Sequence, residues 1–458
     1  SAFSRAFNGF SLDINDQDVK KLKNSGFEVY PNRPVKAVLD QSVPLIEADK
    51  VWEMKDGNGN NITGKGIKIA IIDTGVDYTH LDLGGCLGET CKVAGGYDVI
   101  NKDNDPMDDM GHGTHVAAIA AGNGTLKGVA PDAKIYAYKV LDKNGSGSFD
   151  TVIAGIERAV DPNNDGDLSD SADIISMSLG GYGNPDDAVS QAVDNAVKSG
   201  VVTTVAAGNS GSSYQTIGSP GSAREAITVG ASTKQDELIY FSSRGPVVWN
   251  NQTLVKPDIT APGVDICAAE WGTWMSSVRC KDDKHISISG TSMATPHIAG
   301  AIALIKQAHP DWTPEQIKAV LKNTAKDIAA DILGKGAGRM NALKAVSTIT
   351  PPPVVKLFPI ANTGLIRTIN GEIKTEVKSW NLSYLPLSQT SSANPQWKEM
   401  TTINGMPYDF NTATIPDGEY TIKLSATNLD NQTSSDYGYI KVDKIEITNP
   451  LNWDVLRA

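Results

Sequence analysis

Three short stretches of this chain carry side chains that can pass a proton between them. "IAIIDTGVD" (69–77) ends an apolar, β-branched run on Asp73, followed by Thr and Gly. "MGHGTHVAAIAAG" (110–122) sets His112 between two glycines ahead of a small-residue helix, and "SGTSMATPHIAGAIALI" (289–305) sets Ser292 at the head of an Ala/Ile/Leu helix. A serine hydroxyl is a weak nucleophile at neutral pH and needs a neighbouring base. An imidazole, with an ordinary pKa of about 6.5, can take that proton and later return it to a leaving group. A carboxylate behind the ring fixes its tautomer and stabilises its charged form. The anion that develops on an attacked carbonyl needs hydrogen-bond donors. Asn209 in "VAAGNSG" offers a side-chain N–H, and the Ser292 backbone N–H at a helix N-terminus offers a second.

Asp73 also has a rival chemistry, because paired Asp-Thr-Gly loops can share one proton between two carboxyls. No second Asp-Thr-Gly or Asp-Ser-Gly occurs in the chain, so such a dyad would need a dimer. Singly, each motif is weak: Asp-Thr-Gly is a common turn and Gly-Thr-Ser a common helix cap. His115 and His297 lie close to the catalytic candidates, but no His-Glu-x-x-His or third ligand accompanies them. They are expected to make structural hydrogen bonds. His80 and His285 are given no role.

The elements that must position these residues are legible between about residues 66 and 346. Apolar strands ("IKIAIID", "KIYAYKV", "DIISMSL", "VVTTVAA", "AITVGA") alternate with helical patterns near 113–122, 148–160, 186–199, 291–308 and 314–324. Continuous apolar strands between helices imply an α/β fold with a doubly wound, mostly parallel sheet covered on both faces. Functional residues gather at the carboxyl ends of such strands; Asp73 ends the first and Gly208-Asn209 the fourth. Ahead of this lies a small α+β unit: "AFNGFSLDI" as a strand, "NDQDVKKLKNSG" as a helix with Val19 and Leu22 on one face, and "FEVYPNRPVKAVL" as a returning strand. "DQSVPLIEADKVW" joins it to the main domain. "TPPPVV" marks a proline linker, and alternating segments such as "TIKLSAT" and "YGYIKVDKIEI" beyond it read as an all-β sandwich. The expected division is 1–41, 42–348, a linker at 349–355, and 356–458.

The bulk composition limits the function. With 40% hydrophobic and 21% charged residues, a chain of 458 residues is globular and holds two or three domains. A net charge of −12 argues against a nucleic-acid partner. No apolar run is long enough to span a bilayer. "SAFSRAFNGF" has neither a basic nor an apolar leader region, so any signal peptide is read as already removed. Four cysteines lie as two close pairs, Cys86 with Cys91 and Cys267 with Cys280, which suggests two local disulfides; four free thiols of a reducing compartment are the alternative. Asn-x-Ser/Thr triplets at Asn61, Asn123, Asn251, Asn381 and Asn431 suit a secreted chain if its source glycosylates.

Taken together and in the order Asp, His, Asn, Ser, the blocks "DTGVD", "GHGTHVA", "SLGG", "AAGN" and "GTSMATPHIAG" resemble the subtilisin-like serine proteases over about residues 42–346. The resemblance implies a secreted serine endopeptidase, monomeric, acting on proteins and peptides through an acyl-enzyme. Asp73 would orient His112, His112 would be base and acid, Ser292 the nucleophile, and Asn209 part of the oxyanion hole. Ser178, Leu179, Gly180 and Gly181 would form an extended segment that pairs with the substrate backbone and walls the primary pocket. Ala206, Ala207 and Gly208 would be the opposite wall and Gly218 the floor. No Asp or Glu stands at these places, which favours large apolar residues before the scissile bond and broad tolerance elsewhere. The leading unit resembles a propeptide that assists folding and caps the cleft with its last strand, around 33–42, with self-cleavage in 39–50.

A structural Ca²⁺ is expected in "DPNNDGDLSD", where Asp161, Asn163, Asp165 and Asp167 supply oxygens at alternate positions and Gly166 permits a sharp turn. Asp170 is a further donor; the acid that ends an EF-hand loop is absent, Ala172 standing there. "NKDNDPMDD" (101–109) is read as a polar approach to His112. "GNGTLKGVAP" after the His112 helix is too short for the calcium loop that many subtilisins carry there, although Asp82 resembles another ligand of that site. Two rivals are kept: a silent binding protein on the same fold, and a metallohydrolase built on His112 and His115.

Overall fold

The computed structural model describes residues 2–3, 9–10, 16–27, 39–272, 274–392, 394–400 and 405–444. The chain forms two compact units, residues 1–37 and 38–458. In the smaller, Ala2–Phe3 pairs antiparallel with Gly9–Phe10, and Asp16–Asn24 is a helix. Asp18, Val19 and Leu22 are half-buried on it, and the helix stops before Gly26, whose φ of 84° only glycine adopts cheaply. Most of the expected returning strand, and of the capping strand around 33–42, lies outside the described residues.

The larger unit is built on strands β1 (Lys68–Asp73), β2 (Val93–Asp98), β3 (Lys134–Lys139), β4 (Ile174–Met177), β5 (Val202–Ala206), β6 (Ile227–Ser232), β7 (Val247–Trp249), β8 (Gln252–Leu254) and β9 (Ile259–Pro262). Seven of them make one parallel sheet in the order β9-β6-β5-β4-β1-β3-β2. Its strands read as unbroken apolar runs because both faces are buried. Ile69 and Ile71 point into one core with helices α1 (His112–Ala121) and α4 (Thr291–Ala308); Ala70 and Ile72 point into another with α2 (Phe149–Val160) and α3 (Ala188–Lys198). Each fully buried isoleucine contributes about 1.5–3 kcal/mol. Small residues bring α1 and α4 together: a Cβ on Gly300 would sit 2.8 Å from the Ala120 carbonyl oxygen. That proximity is what lets two helix N-termini, one starting at His112 and one just before Ser292, reach the same cleft.

Residues 40–52, expected as a joining stretch, are instead largely helical (Leu39–Leu45 and Ala48–Val51), and Val43, Ile46, Ala48 and Val51 are buried in the first core. These four apolar residues face one side, toward that core. Within the 349–355 segment Pro352, Pro353 and Val354 are buried.

After β10 (Ile266–Ala269), β11 (His285–Ile288) and helix α5 (Pro314–Thr324), the chain turns to antiparallel strands. These are β12 (Val355–Leu357), β13 (Ile360–Ala361), β14 (Ile366–Ile369), β15 (Gly371–Ile373), β16 (Val377–Pro386), β17 (Lys398–Glu399), β18 (Tyr408–Asn411), β19 (Gly418–Asn428) and β20 (Thr433–Val442). The largest sheet runs β17-β16-β19-β20, and its inward residues Leu382, Ile422, Leu424 and Ile440 form a core with Leu357, Ile369 and Phe410. This matches the expected all-β region. It is joined to the parallel-sheet part by Ile332 and Leu333 packed on Leu387 and Tyr439, and by ion pairs of Lys322 with Asp436 (2.6 Å) and Lys356 with Glu225 (2.5 Å). The cysteines pair as expected, Cys86–Cys91 and Cys267–Cys280, with Cα separations of 5.7 and 5.9 Å.

Candidate active site

Asp73 ends β1 with its side chain 1% exposed, and its Oδ1 lies 2.7 Å from His112 Nδ1. The Thr74 amide also donates to that oxygen, at 2.8 Å. His112 opens α1 after Gly111, whose φ of 114° excludes most side chains. A Cβ on Gly113 would stand 2.1 Å from the Gly75 carbonyl oxygen, so the His-Gly pair is what lets α1 meet the Asp73 loop. Burial alone would push the His112 imidazole down. The charge of Asp73 and the hydrogen bond to it outweigh that, Asp108 adds to them, and the group titrates above its ordinary value.

Asp108 does more than line a polar approach to His112. Its Oδ1 accepts from the Thr74 hydroxyl (2.9 Å) and the Met110 (3.0 Å) and Gly111 (2.9 Å) amides, and its Oδ2 from the Thr114 hydroxyl (2.5 Å) and amide (3.0 Å). Thr74 Oγ1 in turn accepts from the Gly113 amide at 2.9 Å. One buried carboxylate therefore ties the turn after Asp73 to the turn before His112. Burial still pushes its own pKa up. Lys139 reinforces the same corner, donating to the Thr74 and Leu141 carbonyls, each at 2.9 Å. The spacing of an acid four residues before His112 was the available signal.

Ser292 is the second residue of α4. Its hydroxyl donates to the Ser178 carbonyl (3.2 Å), and the Ser178 hydroxyl donates back to the Ser292 carbonyl (2.8 Å), which brackets the end of β4 to the head of α4. Asn209 follows β5. Its Oδ1 accepts from the Thr291 amide (2.8 Å) and hydroxyl (2.9 Å). With the oxygen so engaged, Nδ2 is left as the donor, beside Gly290.

His112, Asn209 and Ser292 line one cleft of about 950 Å³. The residues expected in the pocket lie there too: Ser178, Leu179, Gly180, Gly181, Ala206, Ala207, Gly208 and Gly218. Gly181 and Ser219 exchange backbone hydrogen bonds (2.8 and 3.0 Å), which joins one wall to the floor. Gly218 must be glycine, since a Cβ would lie 2.0 Å from the Gly181 carbonyl oxygen. Phe149, Val152, Val189, Ile217 and Val247 also line the cleft and were missed; only the glycine-rich run 145–147 ahead of Phe149 hinted at them. Among the described residues, no Asp, Glu, Lys or Arg lines it.

The other histidines are engaged elsewhere. His115 Nε2 meets the Ile286 carbonyl (3.2 Å), and His297 meets the Met293 carbonyl (2.8 Å) and Ser42 Oγ (2.9 Å). Burial pushes these rings down to about 3 and about 4. His112 Nδ1 and His115 Nε2 thus go to separate partners, Asp73 and the Ile286 carbonyl. In the 161–170 loop, Asp161 accepts from the Asp165 (3.2 Å) and Gly166 (2.9 Å) amides, Asn163 from Asp165 (2.9 Å), Asp165 from Asp167 (2.8 Å) and Asp167 from Ser169 (2.9 Å). The donors are hard oxygens, but among the described residues no three His, Cys, Asp or Glu side chains converge as a metal-binding group.

A buried carboxylate on an imidazole, a serine in the same cleft at a helix N-terminus, and an amide donor beside it, all at the carboxyl ends of a doubly wound sheet, make the chain a serine hydrolase. Residues 64–342 match the subtilase family, and the chain belongs to it. It is 40% identical to serine protease AprX of Bacillus subtilis over 334 residues, covering 68% of this chain and 72% of that protein. Subtilisin E of the same organism is 37% identical over 326 residues (69% and 75%). Minor extracellular protease Vpr is 32% identical over 525 residues (76% of this chain), and the match spans 62% of its length. The chain is a serine protease of the subtilisin type.

Proposed function

We propose that the chain is a secreted endopeptidase that cleaves proteins broadly, with a preference for large apolar residues before the scissile bond. The observation that carries this is the uncharged lining of the cleft beside the His112–Asp73 pair. The Ser292 hydroxyl attacks the carbonyl while His112 takes its proton, and Asp73 steadies the imidazolium. Asn209 Nδ2 and the Ser292 amide receive the oxyanion. His112 then hands the proton to the leaving amine, and water releases the acyl group by the reverse sequence. The substrate lies along Ser178–Gly181 as an added strand. Secretion is supported by the two disulfides and by a relative whose name calls it extracellular; no described helix is long and apolar enough to cross a membrane. Peptides released from a whole proteome should carry Phe, Leu, Met or Tyr at the new C-termini; a surplus of charged residues there would refute the preference.

Residues 1–41 act as a propeptide and the mature enzyme works as a monomer. The cut falls in 39–50, toward its start, because Val43, Ile46 and Ala48 belong to the catalytic core. Ser292→Ala should then accumulate as the uncut chain. Asp161, Asn163, Asp165, Asp167 and Asp170 hold Ca²⁺ once the carboxylates turn away from the amides they cap. The donor chemistry and the left-handed turn at Gly166 (φ 82°) support this reading. EGTA should lower Tm by a few degrees, and Asp165→Ala should remove that response; an unchanged Tm in both would remove the site.

A further inference from the structure

Beside the primary pocket a hairpin reaches from the catalytic part into the C-terminal strands. β7 and β8 turn through Asn250 and Asn251, whose φ of 44° and 59° give the two left-handed residues that a tight hairpin requires. On the cleft side, buried Val247 and Trp249 pack with Ala207 and Ile217, and Pro246, Val247 and Val248 form part of the cleft lining. On its other edge β8 pairs with β13, Gln252 opposite Ala361 and Thr253 opposite Ile360. Pocket wall and C-terminal region are therefore opposite edges of one three-stranded sheet.

The side chains tie this sheet down at both ends. Thr253 is 1% exposed, and its hydroxyl lies 2.6 Å from the Tyr439 carbonyl and 3.3 Å from that of Ile360. Trp249 Nε1 donates to Asp186 Oδ2 at 2.9 Å, and Asn250 Nδ2 to the same oxygen at 3.2 Å. Asp186 pairs with Arg224, whose guanidinium stands 5.3 Å from the Trp249 ring centre. Asp186 follows the 178–183 wall in sequence, so the hairpin touches both sides of the pocket. Two strands of three residues have little stability of their own; their position is set by what they are bonded to.

We infer that the C-terminal β region sets the primary pocket through this sheet, with Thr253 and Trp249 as positioning residues that fix where Val247 and Val248 stand. The inference deepens, and rests on, the apolar-pocket reading above. The test uses the full chain and two peptides that differ only in Phe or Ala before the scissile bond. A parallel measurement follows inactivation by diisopropyl fluorophosphate, which reaches Ser292 without filling the pocket. Thr253→Ala should lower the Phe-to-Ala ratio of kcat/KM about three- to tenfold, the effect of one neutral hydrogen bond, with the inactivation rate unchanged. Thr253→Ser should restore the ratio, and Ile360→Val should shift it less but in the same sense. An unmoved ratio in Thr253→Ala, or in Ile360→Val should the first not fold, overturns the inference; so does a ratio that falls together with the inactivation rate. A wild-type ratio of one or less instead refutes the apolar pocket, whether or not the variants move it.

Discussion

In the cleft, His112 gives Nδ1 to Asp73 at 2.7 Å, and among the described residues its other nitrogen has no protein partner. Under the β10–β11 hairpin, His285 gives both nitrogens away, Nδ1 to Asp282 at 2.6 Å and Nε2 to Asp82 at 2.8 Å. Asp82 Oδ1 also accepts from the Thr125 amide (2.7 Å) and Oδ2 from that of Leu126 (3.2 Å). His80, edge-on to His285 at 5.5 Å, accepts from the Asp82 amide through Nδ1 and donates to the Lys284 carbonyl through Nε2. Two carboxylates, one at each ring nitrogen, favour the imidazolium and leave no nitrogen open to a substrate. One carboxylate and an open nitrogen make a ring that can accept a proton and give it back. The difference between a catalytic and a structural His–Asp pair is therefore the second nitrogen.

The comparison breaks most visibly by removing the chemistry from one site and not the other. Ser292→Ala should cost about 10⁶-fold in kcat, the loss known for subtilisin itself, with Tm nearly unchanged. Asp73→Asn keeps the shape of the pair but spoils its tautomer, for about 10⁴-fold, as in other serine proteases. Asn209→Ala should lower kcat about 10²- to 10³-fold, as measured for the equivalent donor of subtilisin, with KM little changed. All three are read from steady-state kinetics on a peptide amide, with Asp73→Asn and Asn209→Ala corrected by active-site titration and Ser292→Ala by protein concentration. Residual turnover of Ser292→Ala near the wild-type rate would remove the nucleophile from the account.

His285→Gln should do the reverse. It leaves Asp82, 1% exposed, without its charged partner, a loss of about 3 kcal/mol for a broken buried pair. Tm should fall by several degrees while kcat per titrated active site stays as it was. A variant with wild-type Tm and weakened kcat would show that the two sites are not separable.

Much of the candidate site was legible in the sequence because its chemistry needs fixed residue types at strand and helix ends. Asp73, His112, Asn209 and Ser292 each sit at such a transition, with glycines within two residues, and the close approaches at Gly75 and Gly113 leave no room for a Cβ. The His285 cluster was not legible. Its members come from residues 82, 125–126 and 282–285, with no local motif, and only folding brings them together. Asp108 was hidden for a similar reason: an acidic stretch looks solvated until five donors are seen to converge on one buried carboxylate. Helical order in 39–51 was obscured by its short pieces, and the hairpin 247–254 by strands of three residues, too brief to show a period.

The smallest effect concerns pH, and there the same direction of shift has opposite consequences. Burial would lower His112, but Asp73 raises it above 6.5, so kcat/KM should rise with pH through a midpoint above 6.5 as the imidazole becomes neutral. Burial would likewise lower His285, but Asp82 and Asp282 raise it. A group whose folded pKa exceeds its unfolded one contributes fully below about 6.5 and loses that contribution as pH climbs through the raised value. Asp82 is held below its ordinary range, because the hydrogen bond and charge of His285 outweigh burial, so its share is lost only in acid, as pH falls below about 3.8. His115 and His297, buried and neutral, destabilise the fold as pH drops below about 6.5 in any variant and cancel in a difference. Urea unfolding of Ser292→Ala with and without His285→Gln, which avoids self-digestion, isolates the pair. The difference should be widest between pH 5 and 6 and narrow toward pH 9; a difference that widens with pH would mean that His285 is neutral in the fold and that the carboxylates bracket it for some other reason.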